Sequence, residues 1–440
     1  MEKKLKKRFV LSLILAGFVS NAIAVLKIEI TKGVQGATPI AVVPFVWNTT
    51  RPASGDPLED VIAADLYRSG YFSPADRKDM IAQPSEGSQI RCQDWRMINV
   101  ENVVVGSVQA VGDKYEVRYD LWDVLRCAAV TPQKILQVRA SELRQTAHQI
   151  ADEVFEALTG VRGAFSTRIA YVTEKRTNAR ESRYELVVSD SDGYNPQSIL
   201  RSKNAILSPA WSPDGQYLAY ASFERAGYGA GIFIQNVSTS ERYRLIETDD
   251  EVSAPAWSPD GRKLAVAMSR KGRRDIYIVD VDTRQTRRLT NVSSATFATE
   301  PAWSPDARAI VYTLSLGGRG QIYRTVPEGG REERVSFAGK QNFEASYSTD
   351  GKSLALIHDD GNGNQNVAVQ ESATGAFRVL TNTNGDESPT FAPNGVMILY
   401  ATRSKGRGVL AAVSVDGRVQ IELGENTGDV REPAWGPYTR

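Results

Sequence analysis

Pro209-Ala210-Trp211-Ser212-Pro213-Asp214-Gly215 is followed by a short alternating segment, Tyr217-Leu218-Ala219-Tyr220, and the phrase then returns. It recurs at Pro255 to Gly261 and at Pro301-Ala302-Trp303-Ser304-Pro305-Asp306. Looser copies stand at Ala345 to Gly351 and Pro389 to Gly395, and a truncated one at Pro433-Ala434-Trp435-Gly436-Pro437. The aromatic positions 211, 257, 303, 347, 391 and 435 are separated by 46, 46, 44, 44 and 44 residues. A period in the forties, with one aromatic and one tight turn per unit, predicts a β-propeller. Propellers present faces and a channel, which points first to binding.

The second copy shows how a unit is built. Ala256-Trp257-Ser258 reads as an inner strand, and Pro259-Asp260-Gly261 as a turn in which Pro fixes φ and Gly accepts a positive φ. Lys263 to Met268, Ile276 to Val279 and Arg287 to Leu289 then supply three more strands. The large aromatic is sized to fill the wedge between neighbouring units. Six aromatic positions but five complete units imply that the last strand, around Trp435, completes the unit begun by Thr167-Arg168-Ile169-Ala170-Tyr171-Val172. That arrangement leaves no open edge and predicts six blades.

Residues 1–24 read as an export signal. Lys3, Lys4, Lys6, Lys7 and Arg8 precede an apolar run from Phe9 to Val19, and Ala22-Ile23-Ala24 is a small-x-small cleavage site. The run is shorter than the ~20 residues that span a bilayer, so cleavage after Ala24 and no membrane insertion are expected. Without this segment the chain carries 48 basic and 51 acidic residues, a balance that gives no support to nucleic-acid binding. Residues 36–160 read as an α/β domain with a mixed sheet. Pro39 to Val46, Val103 to Gly106 and Tyr115 to Leu125 are its expected strands, and Leu58 to Ser69 and Glu142 to Leu158 its helices. Gly160-Val161-Arg162-Gly163 joins it to a six-bladed β-propeller, residues 161–440.

Residues 25–35 form a separate piece. Leu26, Ile28 and Ile30 alternate with Lys27, Glu29 and Thr31, the period of a half-buried strand. An edge strand of the first domain and a detachable strand that adds to a partner's sheet both fit the pattern. Cys92 and Cys127 are the only cysteines. Export and an even count permit a disulfide, two separate thiols being the alternative.

Little catalytic chemistry is written into the chain. His148 and His358 are the only histidines, and neither is accompanied by a second His or a Cys at metal-ligand spacing. A nucleophile elbow and a phosphate loop are both missing. Asp190-Ser191-Asp192-Gly193 resembles the start of a calcium loop, but its twelfth position is Arg201 where Glu is required, so a strand turn is the better reading. No enzyme activity, cofactor or metal is expected. An exported propeller enzyme, or a solute-binding propeller with its site in the channel, is the alternative.

Several stretches resemble the TolB family of the Tol–Pal envelope system of Gram-negative bacteria. They are Val42-Val43-Pro44-Phe45, Ile62 to Leu66, Asp152 to Gly160, Ala164 to Val172, and Tyr184 to Asn195. The resemblance implies a periplasmic monomer that binds two proteins in support of outer-membrane integrity and constriction at cell division. TolA would bind the mature N-terminus, here Val25, Leu26, Lys27, Ile28, Glu29, Ile30, Thr31 and Lys32. The lipoprotein Pal would bind the channel mouth, on the loops before the inner strands. By position these offer Ser208, Glu251, Thr299, Glu300, Phe343, Glu344, Asp386, Glu387, Arg431 and Glu432. Glu300, Glu344 and Glu432 each stand three residues before an inner-strand aromatic, so they are expected at one height around the rim, either solvated or held for a basic partner group. One departure is Glu251, which stands where the family carries a histidine.

Overall fold

The computed structural model describes residues 36–49, 55–176, 178, 181–224, 230–246, 248, 250–423 and 428–438. The export segment 1–24 and the expected partner strand 25–35 lie outside the described residues. No helix among the described residues is long and apolar enough to cross a membrane.

The run Val103-Val104-Val105 is apolar at consecutive positions because its strand, Asn102–Val111, is covered on both faces. It lies between Thr38–Val42, to which it is parallel, and Lys114–Asp123, to which it is antiparallel. On one side Val104 and Val108 pack with Ile40 and Val42 under the helices Leu58–Arg68 and Leu143–Thr159. On the other, Val103 and Val105 pack with Trp95 of the short helix Cys92–Met97. The strand expected over Pro39 to Val46 is two strands, Thr38–Val42 and Val46–Asn48. Pro44 has no N–H to give the ladder and interrupts it. Cys92 and Cys127 are bridged, with Cα atoms 5.7 Å apart.

The long helix ends at Gly160, whose φ of 75° closes it in the left-handed conformation. The connection that follows is pinned by Asp152. Its Oδ1 accepts the Phe165 N–H at 2.6 Å and its Oδ2 the Ser166 N–H at 3.1 Å. A side chain at Gly163 would meet the Asp152 Cα at 2.4 Å, so the close approach requires glycine.

Beyond the hinge the strands form four separate four-stranded sheets and one eight-stranded sheet. The sequence predicts six separate blades. The eight-stranded sheet contains two antiparallel runs, Val252–Trp257 through Thr286–Arg288 and Thr296–Trp303 through Glu333–Arg334. A single parallel bridge, Arg274 to Phe297, joins them. The inner strand of the second run starts early, at Thr296, and so reaches the hairpin of the first.

Each Ser-Pro-Asp-Gly turn repeats one device. In the first, the Ser212 hydroxyl bonds Asp214 at 2.5 Å and accepts the Tyr217 N–H at 2.9 Å. Trp211, Trp257 and Trp303 donate their indole N–H, each at 3.1 Å, to the carbonyls of Ala434, Ala210 and Ala256 on the preceding inner strands. Inner strands contact one another in sequence, and Asp429–Trp435 touches both Glu387–Phe391 and Ile206–Trp211. This last strand pairs antiparallel with Arg168–Arg176, from Asp429–Glu174 to Trp435–Ile169, with one register shift between Arg431 and Ala434. The Trp435 indole donates to the Thr167 hydroxyl at 2.8 Å.

Removing Pro433 to Arg440 takes away Trp435 and part of the closing ladder. The expected result is a loss of several kcal/mol, well beyond the ~1 kcal/mol of an average point substitution, read from urea denaturation. An unchanged midpoint would overturn the closure. Replacing both cysteines by serine reopens a loop of 35 residues and should cost about 3–4 kcal/mol in the same assay.

Candidate functional site: the channel mouth

Every inner strand carries one β-bulge at the same place. Register shifts fall between Leu207 and Ala210, Ser253 and Ala256, Thr299 and Ala302, Phe343 and Ser346, Glu387 and Thr390, and Arg431 and Ala434. In each bulge a non-glycine residue takes a left-handed conformation, with φ of 52° at Ser208, 48° at Ala254, 53° at Glu300, 53° at Glu344, 52° at Ser388 and 49° at Glu432. Such residues cost on the order of 1–3 kcal/mol unless the surroundings hold them. At four of the six the backbone N–H of that residue finds an acceptor on the neighbouring blade.

Those acceptors are the rim carboxylates. Glu300 Oε2 accepts the Glu344 N–H at 3.0 Å, and Glu344 Oε2 accepts the Ser388 N–H at 2.5 Å. Glu387 Oε1 accepts the Glu432 N–H at 3.3 Å, and Glu432 Oε2 accepts the Ser208 N–H. The Thr313 hydroxyl also donates to Glu300, at 2.6 Å. Four of the six steps around the ring are thus stapled by a carboxylate. The other two, from Ser208 to Ala254 and from Ala254 to Glu300, begin at Leu207-Ser208 and Ser253-Ala254, where neither the left-handed residue nor the one before it carries a carboxylate. The expectation of a freely solvated ring is therefore corrected. These side chains are half-buried and committed to backbone N–H groups.

Burial pushes all four carboxyl groups above the ordinary carboxylate range. Glu344 is raised most clearly, by burial and then by the neighbouring Glu300, Glu387 and Glu432. Glu432 is pushed up to about 7 by burial, with Glu387 adding to it.

The remaining expected positions divide. Asp386 is a second correction. It is fully buried, accepting hydrogen bonds from the hydroxyls of Thr381 at 2.5 Å, Thr402 at 2.6 Å and Thr383 at 2.7 Å. It braces the junction of two blades, Thr402 lying on Met397–Ser404 and the Val367 N–H, 3.3 Å from its Oδ2, on Gln365–Glu371 of the preceding sheet. Phe343 is partly buried against the cluster that holds Ile357 and Tyr400. Thr299 is half-buried on its strand, opposite Thr313. Glu251 and Arg431 are the exposed members, with side chains 62% and 45% accessible. Glu251 pairs with Arg274, and Arg431 with Glu174 at 3.2 Å. Phe297, Leu316 and Phe337 also stand exposed at this end of the blades. Their signal in the sequence, apolar residues beside hairpin and loop glycines, is weak.

Comparison with known proteins places this architecture. The family profile described as "TolB amino-terminal domain" matches residues 26–130, and the one described as "TolB beta propeller domain" matches residues 155–439. A "Tol-Pal system protein TolB" of Nitrosococcus oceani is 53% identical over 418 residues, covering 95% of this chain and 94% of that protein. The protein of the same name from Xanthomonas oryzae pv. oryzae is 52% identical over 416 residues, covering 94% of this chain and 93% of that protein. A crystal structure of TolB from Acinetobacter baumannii superposes with a TM-score of 0.84 at 38% identity, covering 94% of this chain and all of that one.

The raised Glu432 pKa gives a signed expectation. Between 4.5, its ordinary value, and about 7 the folded protein holds a proton that the unfolded chain has released. Stability therefore falls as pH rises through this window, by at most on the order of 3 kcal/mol for this group at about 1.4 kcal/mol per unit. Glu432→Gln keeps an acceptor for Ser208 but cannot ionise. Urea midpoints at pH 5 and pH 7.5 should differ less in the variant than in the parent, and equal differences would remove Glu432 from the account.

Proposed function

The chain belongs to the TolB family of Tol-Pal system proteins, and from that membership we propose a non-enzymatic periplasmic adaptor, exported by cleavage after Ala24. It binds Pal at the channel mouth of the propeller and TolA through Val25 to Lys32, and serves outer-membrane integrity and constriction at division. We read the eight-stranded sheet as two blades, which makes the ring six-bladed, and divide the domains at the Gly160–Gly163 hinge. The unbroken sequence of contacts among the inner strands supports that count.

One observation carries the placement of the Pal site. The amino-terminal domain docks on turns at the other end of the blades. Arg144 meets Asp190 and Asp192, and the Arg162 carbonyl accepts from Asn394 at 3.1 Å. The mouth, with Glu251, Thr299, Arg431, Phe297, Leu316 and Phe337, is left uncovered by it. Exposed aromatic and aliphatic residues beside separated charges suit a protein partner better than a small solute. The stapled carboxylates support this surface by fixing the bulges, and the exposed residues make the contacts.

Calorimetry and stopped-flow binding of Pal test the placement. Glu251→Lys on the mouth should weaken Pal on the order of tenfold, mainly by slowing association. Asp260→Lys, in an exposed turn at the opposite end, should leave affinity unchanged. Equal affinities for the parent and Glu251→Lys would move the site away from this loop. Removing Val25 to Lys32 should abolish TolA binding while Pal binding persists, and TolA binding that survives would reassign that segment.

A further inference from the structure

The interface between the two domains is organised around a histidine. His148 lies on the long helix Leu143–Thr159, on the face turned to the propeller, and is fully buried. Its Nδ1 is 2.6 Å from Asp65 Oδ2, on the helix Leu58–Arg68 of the same domain. Its Nε2 points across the interface, 3.9 Å from Asp190 Oδ2 and 4.0 Å from Asp192 Oδ2 of the first blade, and has no hydrogen-bond partner.

The surrounding charges do not balance without it. Arg144 reaches Asp56 at 2.5 Å, Asp190 at 3.3 Å and Asp192 at 2.5 Å. Arg68 reaches Asp192 at 3.2 Å and also pairs with Asp65. Asp152, one turn further along the His148 helix, is taken up by the hinge amides. Four carboxylates, Asp56, Asp65, Asp190 and Asp192, therefore face the guanidinium groups of Arg144 and Arg68, with Arg168, opposite Asp190 on the first blade, as a third. A metal ion is a poor way to supply the missing charge. Asp192 Oδ2 already accepts from Arg144 and is ion-paired with Arg68 at 3.2 Å, and a cation bound there would sit against both. A proton on His148 supplies it without displacing either arginine.

We propose that His148 is a proton-operated latch between the domains. As an imidazolium it binds Asp65 within its own domain and attracts Asp190 and Asp192 of the first blade, holding the helix Leu143–Thr159 against the propeller. As a neutral ring it presents the Nε2 lone pair to those same two carboxylates, and docking weakens. Arg144 and Arg68 continue to bridge the domains in either state, so the latch loosens the joint without dissolving it. Burial disfavours the charged ring, but Asp65 and then Asp192 outweigh it and hold the His148 pKa above its ordinary 6.5. The sign follows from the raised pKa. The added stabilisation is complete below the unfolded-state value and is lost as pH rises through the folded one.

The experiment uses the full mature chain. With two histidines in the sequence, imidazole NMR signals are assigned with His358→Gln, and the His148 titration is followed from pH 5 to 9. A midpoint above 6.5 is expected. Hydrogen exchange, corrected for intrinsic rates, should show protection of residues 143–159 and 190–194 falling on the order of tenfold as pH crosses that midpoint. In His148→Gln, whose amide still donates to Asp65, protection should be flat with pH. Asp190→Asn gives a second measurement and should lower the His148 midpoint. A His148 that is neutral at pH 5.5, or an identical pH response in parent and His148→Gln, overturns the latch.

Discussion

Antiparallel pairing of Asp429–Trp435 with Arg168–Arg176 is the constraint on which the propeller depends. Each blade packs mainly on its two neighbours, so an open array would leave two terminal blades with bare faces and bare edges. Pairing the last strand with the first removes both. The indole bonds of Trp211, Trp257 and Trp303 to preceding inner strands are local copies of the same solution. Each ties one wedge to the next at a fixed distance, and the Trp435 bond to Thr167 completes the circuit.

Much of this was legible because the relevant physics is local and repeated. Ser-Pro-Asp-Gly encodes a turn whose hydroxyl and carboxylate bond within a few residues, so a reader can place it without knowing the fold. The orphan segment at Ile169 and the orphan phrase at Trp435 needed only counting to be matched. Pro44 split an apolar run that hydropathy alone reads as one strand. The eight-stranded sheet arises from a single bridge at Phe297, a contact with no sequence pattern. Asp386 was placed with the rim because it adjoins Glu387. The three threonines that enclose it come from positions 381, 383 and 402, a convergence that exists only after folding.

The rim glutamates show the limit of reading charge from position. Equivalent offsets did bring them to equivalent places, yet their role follows from the strand bulges, which no residue type announced. A left-handed non-glycine residue turns its N–H out of the ladder, and a carboxylate on the adjacent blade is well placed to accept it. The partner was found in the backbone of the next blade. At Leu207-Ser208 and Ser253-Ala254 no carboxylate stands at that position or before it and the staple is missing, so the ring is not uniform around its circumference. His148 was equally opaque. In sequence it is a lone histidine on an apolar helix face, and its meaning depends on a turn some forty residues away.

One feature links the ends of the protein. The blade that receives the closing strand also receives the hinge, through Asp152 and Phe165, and carries Asp190 and Asp192 against the amino-terminal domain. Clasp and joint are therefore a single mechanical element. Tension drawn through the amino-terminal domain enters the ring at Arg168, five residues past the hinge and inside the ladder that closes it. Because the two strands of that ladder lie antiparallel, pulling at the Arg168 end sets many hydrogen bonds to one side of the load and few to the other. The direction of pull, and not its magnitude alone, decides whether the ring resists as a rivet or opens as a zip.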